Sequence, residues 1–257
     1  MDYPGRQDRP VTGGHALVVT GGPLPTNQGP LPSADLVIAA DGGADNAADL
    51  GLAVDLVVGD LDSASSAAVA RAGKVERHPE DKDETDLELA LGAAVAAGTR
   101  SVTVVGTLGG RVDHALANLL VAAGDRWSNL RIDLRIDGAR VWVVRDHVKV
   151  VAQVDDVVSL LAVGGPATGV TTTGLAWSLA DAEVEHGVGL GLSNRMDAPR
   201  AEVVVDHGTL LVIVDSTEFE PGTSGGGFLK RFSEAMRAFW KMGDRSEKGR
   251  IRGPWTG

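Results

Sequence analysis

Residues 35–63 read DLVIAADGGADNAADLGLAVDLVVGDLDS, and this stretch decides the fold. It contains two short apolar runs, at 35–40 and 55–59, which are separated by an alanine-rich segment at 44–50. Short runs of Val, Ile and Leu that are bounded by glycine are typical of buried parallel strands. The stretch therefore predicts a strand, a helix and a second strand in succession.

The same alternation continues on both sides of this unit. Further strands are predicted at ALVVT (16–20), KVERH (74–78) and SVTVVG (101–106). Further helices are predicted at 64–72, 85–97 and 113–123. Strands that alternate with helices favour an open, mostly parallel α/β sheet flanked by helices. We assign this α/β domain to residues 15–137.

The pattern changes after residue 137. Residues 138–216 contain short alternating strands and turns, and they predict an all-β sandwich domain. Within it, AEVVVDHGTLLVIV (201–214) predicts a hairpin with its turn at His207 and Gly208. The remaining segments are predicted to be a flexible leader (1–14), a linker (217–227), and an amphipathic helix with a polar tail (228–257).

Composition disfavours several classes of protein. The formal net charge is −11, whereas nonspecific nucleic-acid binding needs clustered Lys and Arg, so we expect no nucleic-acid partner. The sequence has no cysteine, which suits a cytoplasmic location. No apolar run reaches the length of about 18 residues that a membrane-spanning helix needs.

Acidic residues follow four of the predicted strands. Asp41 follows the strand at 35–40, Asp60 and Asp62 follow the next, DKDETD (81–86) follows KVERH, and Asp113 lies beyond SVTVVG. In open α/β sheets, ligands bind beyond the carboxyl ends of the strands. Clustered carboxylates favour a hard cation, and Mg²⁺ takes oxygen ligands and bridges carboxylates to phosphates.

The two loops that lead into helices also bear on anion binding. Thr85 and Glu88 have the spacing of a capping box, so a helix is predicted to begin at Thr85 with Asp86 in its first turn. In GTLGGRVDHALANLL (106–120), Gly109 permits close approach to a phosphate and Arg111 offers a forked cation. Lys82, Arg145 and Arg195 could contact phosphate, but we interpret them as members of surface salt bridges.

Six segments taken together resemble thiamine pyrophosphokinases. They are DGGAD (41–45), GDLDS (59–63), DETD (83–86), GGRVDHALANL (109–119), GGPATGVTTTGLAWSL (164–179) and GLSNRM (191–196). They occur in the order and at the spacing that this family shows, and the resemblance covers roughly residues 15–215.

The resemblance implies an α/β nucleotide-binding domain followed by a β-sandwich that binds thiamine. It implies transfer of the pyrophosphoryl group of ATP to the hydroxyl of thiamine, which gives thiamine diphosphate and AMP. It further implies that Mg²⁺ is required, and that the enzyme is a homodimer whose active sites form between subunits.

The resemblance also assigns roles to residues by motif match. It assigns the metal to Asp60, Asp62, Asp83 and Asp86. It assigns the ATP site to Asp41, Gly42, Thr85, Gly109, Arg111, Asp113, His114 and Asn118. It assigns thiamine to Thr172, Trp177, Ser193 and Asn194. Asp62, Asp86 and Asp113 are candidates to take the proton of the substrate hydroxyl, and the sequence does not choose among them.

Two alternatives remain open at this stage. The first is a catalytically idle protein of the same fold that binds nucleotide or thiamine as a sensor or scaffold. Such a protein is expected to have lost some of the acids, whereas every named acidic position is filled here. The second keeps the chemistry but uses a different acceptor alcohol, which the pocket around Trp177 would decide.

The segment FLKRFSEAMRAFWKM (228–242) has an aromatic apolar face and a basic polar face. We expect it to dock on the surface of this protein or of a sister subunit. Contact with a membrane surface is the alternative, because amphipathic helices with basic polar faces bind anionic lipid.

Overall fold

The computed structural model describes residues 13–24, 30–106, 112–136 and 138–215. Most of the predicted leader, the glycine-rich loop with Gly109 and Arg111, the linker and the C-terminal amphipathic segment lie outside the described residues. All described residues belong to one compact unit.

The first half of the chain forms a parallel sheet. Its strands are β1 (His15–Val19), β2 (Leu36–Ala40), β3 (Leu56–Gly59), β4 (Lys74–Arg77), β5 (Ser101–Gly106) and β6 (Arg131–Ile136). Their order across the sheet is β4-β3-β2-β1-β5-β6, and every neighbouring pair is parallel. The prediction of a mostly parallel α/β sheet is confirmed.

Among the described residues, four helices connect these strands. They are α1 (Gly43–Asp49), α2 (Ser66–Val69), α3 (Asp86–Ala96) and α4 (Val112–Ala122), and a short 3₁₀ turn follows at Asp125–Trp127. The chain runs outward from β1 to β4 and then crosses through α3 to β5, on the other side of β1. The direction of strand order therefore reverses at β1, and such a reversal is where open α/β sheets open a crevice for ligands.

The second half of the chain is antiparallel. Its strands are β7 (Ala139–Val144), β8 (His147–Val151), β9 (Val157–Thr173), β10 (Ala182–Val184), β11 (Asn194–Arg195), β12 (Arg200–Val204) and β13 (His207–Asp215). Strand β7 pairs with β6 and so joins the two halves along one path of hydrogen-bonded strands. The predicted boundary at 137/138 falls between these two paired strands.

The long strand β9 contributes to both layers of the β-sandwich. Residues 157–168 pair with β13, and residues 171–173 pair with β12, which in turn pairs with β8. Buried side chains from these strands, such as Val150, Leu160, Val203 and Leu210, fill the space between the layers. The predicted fold class, a parallel α/β sheet followed by a β-sandwich, is confirmed.

The predicted hairpin at 201–214 is wrong. Strands β12 and β13 do lie at the expected places in the chain, but they pair with β9 and with other strands rather than with each other. The backbone N–H groups of Val205 and Asp206 donate instead to the carbonyls of Asp146 and Thr168. The chain therefore passes from one layer to the other between these two strands.

No helix among the described residues is long and apolar enough to cross a membrane.

Candidate active site

Three carboxylates meet beyond the carboxyl ends of β2 and β3. Asp41 directly follows β2, whereas Asp60 and Asp62 follow β3, and one oxygen from each lies within 4.8 Å of the others. The backbone turns sharply at this point, because Asp41 has φ 46° and Leu61 has φ 66°. Non-glycine residues rarely adopt positive φ, and those that do cluster at functional sites.

The place where these carboxylates meet is called the acidic crevice below. Within it, hydrogen bonds hold Asp41 in place. Its backbone N–H donates to the carbonyl of Val58 at 2.8 Å, and the hydroxyl of Ser63 donates to Asp41 Oδ2. Gly42 lies so close to Ser63 that a Cβ there would stand 2.8 Å from the Ser63 Oγ. The other carboxylate oxygen, Asp41 Oδ1, is buried and accepts no hydrogen bond from the described residues.

Asp60 and Asp62 lie on a loop that is fixed by its neighbours. The Arg77 guanidinium donates to the Asp60 carbonyl at 2.7 Å, and the Asp62 N–H donates to Asp60 Oδ1 at 3.2 Å. Beyond Asp62, the Asp45 carboxylate accepts a hydrogen bond from the Ser65 N–H at 2.7 Å, and the Ser65 hydroxyl caps α2. The loop is thus anchored at both ends.

Asp86 reaches the same crevice from the first turn of α3. That helix begins with the predicted capping box, because the Thr85 N–H donates to Glu88 Oε2 at 2.9 Å and the Glu88 N–H donates to Thr85 Oγ1 at 3.2 Å. Gly59, with φ 140°, separates Asp86 from Asp41. A Cβ on Gly59 would lie 3.0 Å from Asp41 Cβ and 3.1 Å from Asp86 Oδ1. Only glycine therefore lets these two acids approach each other.

Lys82 is the cation of this acidic crevice. Its Nζ lies 3.4 Å from Asp60 Oδ2 and 3.2 Å from Asp86 Oδ1, and its side chain is only 12% exposed. Burial acts to lower the pKa of the Lys82 ammonium, but Asp86 and Asp60 together raise it above its ordinary value. The interpretation of Lys82 as a member of a salt bridge is therefore confirmed, but its expected location on the exposed surface is wrong.

The remaining charges of the crevice are not balanced. Burial raises the pKa of the Asp86 carboxyl, and the charges of Asp60 and Asp41 raise the pKa of Asp62. The Asp62 N–H, by contrast, lowers the pKa of Asp60. The raised pKa of Asp62 indicates that the carboxylates repel one another, and a further positive charge would stabilise them.

The donor set suits a hard divalent cation. Every candidate ligand is a carboxylate oxygen, which Mg²⁺ prefers over nitrogen or sulfur. Asp41 Oδ1 is buried and accepts no hydrogen bond from the described residues, whereas Asp86 Oδ1 lies 3.2 Å from the Lys82 Nζ. Unsatisfied buried oxygens are rare in folded proteins, so Asp41 Oδ1 supports a cation site in this crevice.

The other predicted residues of the metal and ATP sites do not belong to this group of carboxylates. Asp83 is exposed and is not among the carboxylates that lie within 4.8 Å of one another. Asp113 and His114 are exposed in the first turn of α4, where the His114 N–H donates to Asp113 Oδ1 at 3.0 Å. Asn118 lies on the same helix and is half-buried.

Two families of sequences match this chain in succession. Residues 30–134 match the family described as the thiamin pyrophosphokinase catalytic domain, and residues 147–210 match its vitamin B1 binding domain. The first match contains all of the carboxylates in the crevice.

The chain belongs to the thiamine pyrophosphokinase family.

Curated relatives and solved structures agree with this assignment. The chain is 25% identical over 174 residues to thiamine pyrophosphokinase 1 of Oryza sativa subsp. japonica, which is 62% of this chain and 65% of the relative. It is 32% identical over 117 residues to thiamine pyrophosphokinase 2 of the same plant, which is 44% of this chain and 43% of the relative. The alignments thus span less than two thirds of these relatives' own length.

The solved structures show a common fold. A thiamine pyrophosphokinase from Bacillus subtilis superposes with a TM-score of 0.69 at 23% identity, and the match covers 79% of this chain and 99% of the other. A thiamin pyrophosphokinase from Candida albicans gives a TM-score of 0.59 at 13% identity, with 79% and 90% covered.

The segment that corresponds to the thiamine-binding part of the pyrophosphokinases is organised around Trp177. The Asn194 amide holds the Trp177 backbone, because Nδ2 donates to the Trp177 carbonyl at 2.8 Å and Oδ1 accepts from the Trp177 N–H at 3.1 Å. The Thr172 hydroxyl is buried and accepts from the Leu179 N–H at 2.8 Å. Ser193 has φ 59°, and its N–H donates to the Ser159 hydroxyl at 3.1 Å.

The sequence analysis missed two residues that shape the crevice and misjudged the burial of a third. Ser63 holds Asp41, and Arg77 holds the Asp60 backbone. Lys82 was expected in a surface salt bridge, but its side chain is only 12% exposed and pairs with two acids. The resemblance assigned Asp41 to ATP, whereas its strand end placed it with Asp60 and Asp62, and its carboxylate lies with theirs. A signal for Lys82 existed in the sequence, since it is the one basic residue among six acids in 80–88.

Proposed function

We propose that this protein transfers the pyrophosphoryl group of ATP to the hydroxyl of thiamine, giving thiamine diphosphate and AMP. The observation that carries the proposal is the convergence of Asp41, Asp60 and Asp62 within 4.8 Å, beside the half-buried side chain of Asp86. Membership of the thiamine pyrophosphokinase family supports the choice of reaction. All the acids that the reaction needs are present, which argues against an idle sensor or scaffold.

Asp41, Asp60 and Asp62 would hold the Mg²⁺, with Asp86 beside them. Bound there, the ion would neutralise charge that develops on the phosphate oxygens during transfer. Asp83 was also predicted as a ligand, and its exposed position is compatible with a contact through water. The loop after β3 is fixed by Arg77 and by Ser65, so the carboxylates of Asp60 and Asp62 would hold the ion at a defined position.

The nucleotide would lie along the carboxyl edge of the parallel sheet. Gly42, Asp41 and Thr85 border the crevice, and Asp113, His114 and Asn118 lie on α4. The positive end of the α4 helix dipole favours a phosphate. Gly109 and Arg111, just before that helix and outside the described residues, complete the proposed ATP site.

The proton of the thiamine hydroxyl would pass to a carboxylate near the transferred group. Asp62, Asp86 and Asp113 are the candidates. Burial raises the pKa of Asp86 in spite of its pair with Lys82, and the charges of Asp60 and Asp41 raise the pKa of Asp62. Both carboxyls therefore accept a proton more readily than an ordinary aspartate, and we favour Asp62 or Asp86 as the base.

Thiamine would bind against Trp177. Thiamine is a cation with aromatic rings, and an indole face attracts such cations. The Asn194 amide fixes the chain on which Trp177 is displayed, while Ser193 and Thr172 support the neighbouring segments. We propose that these four residues form the thiamine site.

We further propose a homodimer with active sites between subunits, located in the cytoplasm, where ATP is available. Helix α4 supports self-association, because it exposes Val112, Leu116 and Leu120 at 80%, 56% and 49%. Residues four apart on a helix share one face, so these side chains form a continuous apolar stripe.

Measurement of AMP tests the proposed reaction. We expect the purified protein to form AMP from ATP and Mg²⁺ when thiamine is added, and to form little without it. Asp62→Asn should fold normally by circular dichroism but lose turnover roughly 10²–10³-fold, the range for removing one charge-stabilising group. Asp49→Asn, an exposed acid at the end of α1, is the matched control and should keep full turnover.

Two outcomes would contradict the proposal. Binding of ATP and thiamine without formation of AMP would favour the sensor or scaffold. AMP formation that responds to another alcohol but not to thiamine would keep the chemistry and change the acceptor.

A further inference from the structure

Lys82 has an unusual environment for a lysine. Its side chain is 12% exposed, whereas Lys74, eight residues earlier, is 71% exposed. Burying a lysine side chain costs conformational entropy and hydration of the ammonium. These costs are offset only if the ammonium is paired well, and here it lies between Asp60 and Asp86.

The two partners of Lys82 come from different parts of the fold. Asp60 lies on the loop after β3, and Asp86 lies in the first turn of α3. Lys82 itself lies in the loop between β4 and α3, and its N–H donates to the Glu80 carbonyl at 3.1 Å. The ammonium thus joins the β3 loop to α3 across the crevice.

The Lys82 ammonium neutralises a carboxylate that would also bind a divalent cation. Asp60 belongs to the carboxylate group that suits a metal, and its Oδ2 is the atom that faces Lys82. A carboxylate that already neutralises an ammonium attracts a second cation less strongly. Lys82 and a metal must therefore compete for the charge of Asp60.

We propose that Lys82 is the resident counter-cation of the acidic crevice, holding Asp60 and Asp86 together until a divalent metal binds in competition with its ammonium. The inference rests on the proposed function only in taking this crevice as the metal site. It makes Lys82 a positioning residue that stabilises the metal-free protein and weakens metal binding.

The two possible roles of Lys82 predict opposite changes in metal affinity when Lys82 is replaced. If Lys82 only supported the structure, its removal would displace Asp60 and Asp86 and weaken metal binding. If Lys82 competes with the metal, its removal leaves more negative charge for the metal and tightens binding. Metal affinity therefore separates the two roles without any measurement of activity.

Binding of Mn²⁺ tests the proposal. It is measured by electron paramagnetic resonance, because the signal of unbound Mn²⁺ decreases as the ion binds to the protein. We expect Lys82→Met to lower the Mn²⁺ dissociation constant roughly tenfold, which corresponds to ~1.4 kcal/mol. Lys74→Met removes the same charge from an exposed pair with Glu76 and should leave the constant unchanged. Unchanged or weaker binding by Lys82→Met would overturn the proposal.

Thermal unfolding provides a second readout. In EDTA, Lys82→Met should unfold at a lower temperature than the wild-type protein, and saturating Mn²⁺ should raise its Tm by more than it raises that of the wild type. An equal rise in both proteins would also contradict the proposal. If Lys82→Met does not fold, Lys82→Gln makes the same charge change with a polar side chain and is judged by the same two results.

Failure of the proposed function gives a different result. If the wild-type protein binds no Mn²⁺, the metal site itself is contradicted. The same holds if the wild-type protein and the Asp60→Asn variant bind Mn²⁺ with equal affinity. A wild-type protein that binds Mn²⁺ through Asp60 while Lys82→Met binds no more tightly would contradict only the role of Lys82.

Discussion

Individual acids in the crevice differ in how their charge is stabilised. Asp60 is stabilised as an anion by the Asp62 N–H and has a lowered pKa, whereas burial raises the pKa of Asp86. The charged form of Asp86 thus destabilises the folded protein even with Lys82 beside it. A residue kept in such a place at a cost in stability is typical of functional sites.

Replacement of Asp86 by Asn should therefore stabilise the metal-free protein. A carboxyl whose pKa is raised in the folded state favours folding below its ordinary value of 3.8 and loses this contribution as the pH rises above it. We expect the Tm difference between Asp86→Asn and wild type, measured in EDTA, to be absent below the ordinary pKa of 3.8 and to appear as the pH rises from there to neutral.

The matched control for this prediction is Asp83→Asn. Asp83 belongs to the same acidic loop but is exposed, so its replacement removes one charge without relieving burial. Its Tm should follow that of the wild type across the same pH range. A lower Tm for Asp86→Asn at neutral pH in EDTA would show that the pair with Lys82 outweighs burial.

Much of the crevice could be predicted at this scale, because acids at strand ends are visible in the sequence. The grouping of Asp41 with Asp60 and Asp62 was expected for this reason. The positive φ values of Asp41 and Leu61 could not be predicted. The burial of Lys82 could not be predicted either, because one of its two partners, Asp60, is distant in the sequence.

Helix α3 shows what a local pattern can predict. Thr85 and Glu88 are three residues apart, and their reciprocal hydrogen bonds need no tertiary contact to be recognised. Helix α2 is a contrasting case, since 64–72 was predicted and only Ser66–Val69 is helical. The strands were found at the expected places, but periodicity gives no partner, which is why the hairpin of β12 and β13 was predicted wrongly.

The capping box of α3 gives a prediction for this element. Thr85→Ala removes the side-chain acceptor at the helix start and should cost about 1 kcal/mol, or roughly 2–4 °C in Tm. It should also lower turnover, because Asp86 is the next residue and depends on the position of that first turn. Thermal unfolding and AMP formation, measured on the same preparation, check both effects.

Thr85→Ser is the control for the cap. It keeps the hydroxyl that accepts the Glu88 N–H and loses only a methyl group, so both Tm and turnover should stay near wild type. Turnover that falls equally in both variants would indicate that the threonine methyl, rather than the cap, matters at the crevice.

The described residues form two halves that differ in their sequence patterns. Strands alternate with helices in the first half, and short strands alternate with turns in the second half. The parallel half carries the acidic crevice, the antiparallel half carries the segment around Trp177, and β6 and β7 join them through main-chain hydrogen bonds. The fold class of each half could be predicted from strand length and alternation. The surface through which subunits would associate could not be predicted in this way. It can be recognised only when the structure shows which apolar side chains of a helix stay exposed.

Helix α4 therefore supplies the prediction for the assembled protein. Its exposed stripe of Val112, Leu116 and Leu120 lies directly after the loop that contains Arg111, so a partner subunit on this face would border the proposed ATP site. Leu116→Glu places a charge in the middle of the stripe. If the stripe is the dimer interface, the dissociation constant of the dimer should rise by at least about 10²-fold, since an unpaired charge buried at an interface costs several kcal/mol.

Sedimentation across a range of protein concentrations measures this change, and turnover at the same concentrations links it to activity. If active sites form between subunits, Leu116→Glu should lose turnover on dilution and regain it at concentrations where the dimer forms again. Val151→Glu is the control, because Val151 is 69% exposed on β8, outside the stripe. Dissociation caused by Val151→Glu but not by Leu116→Glu would move the interface from α4 to the β-sandwich.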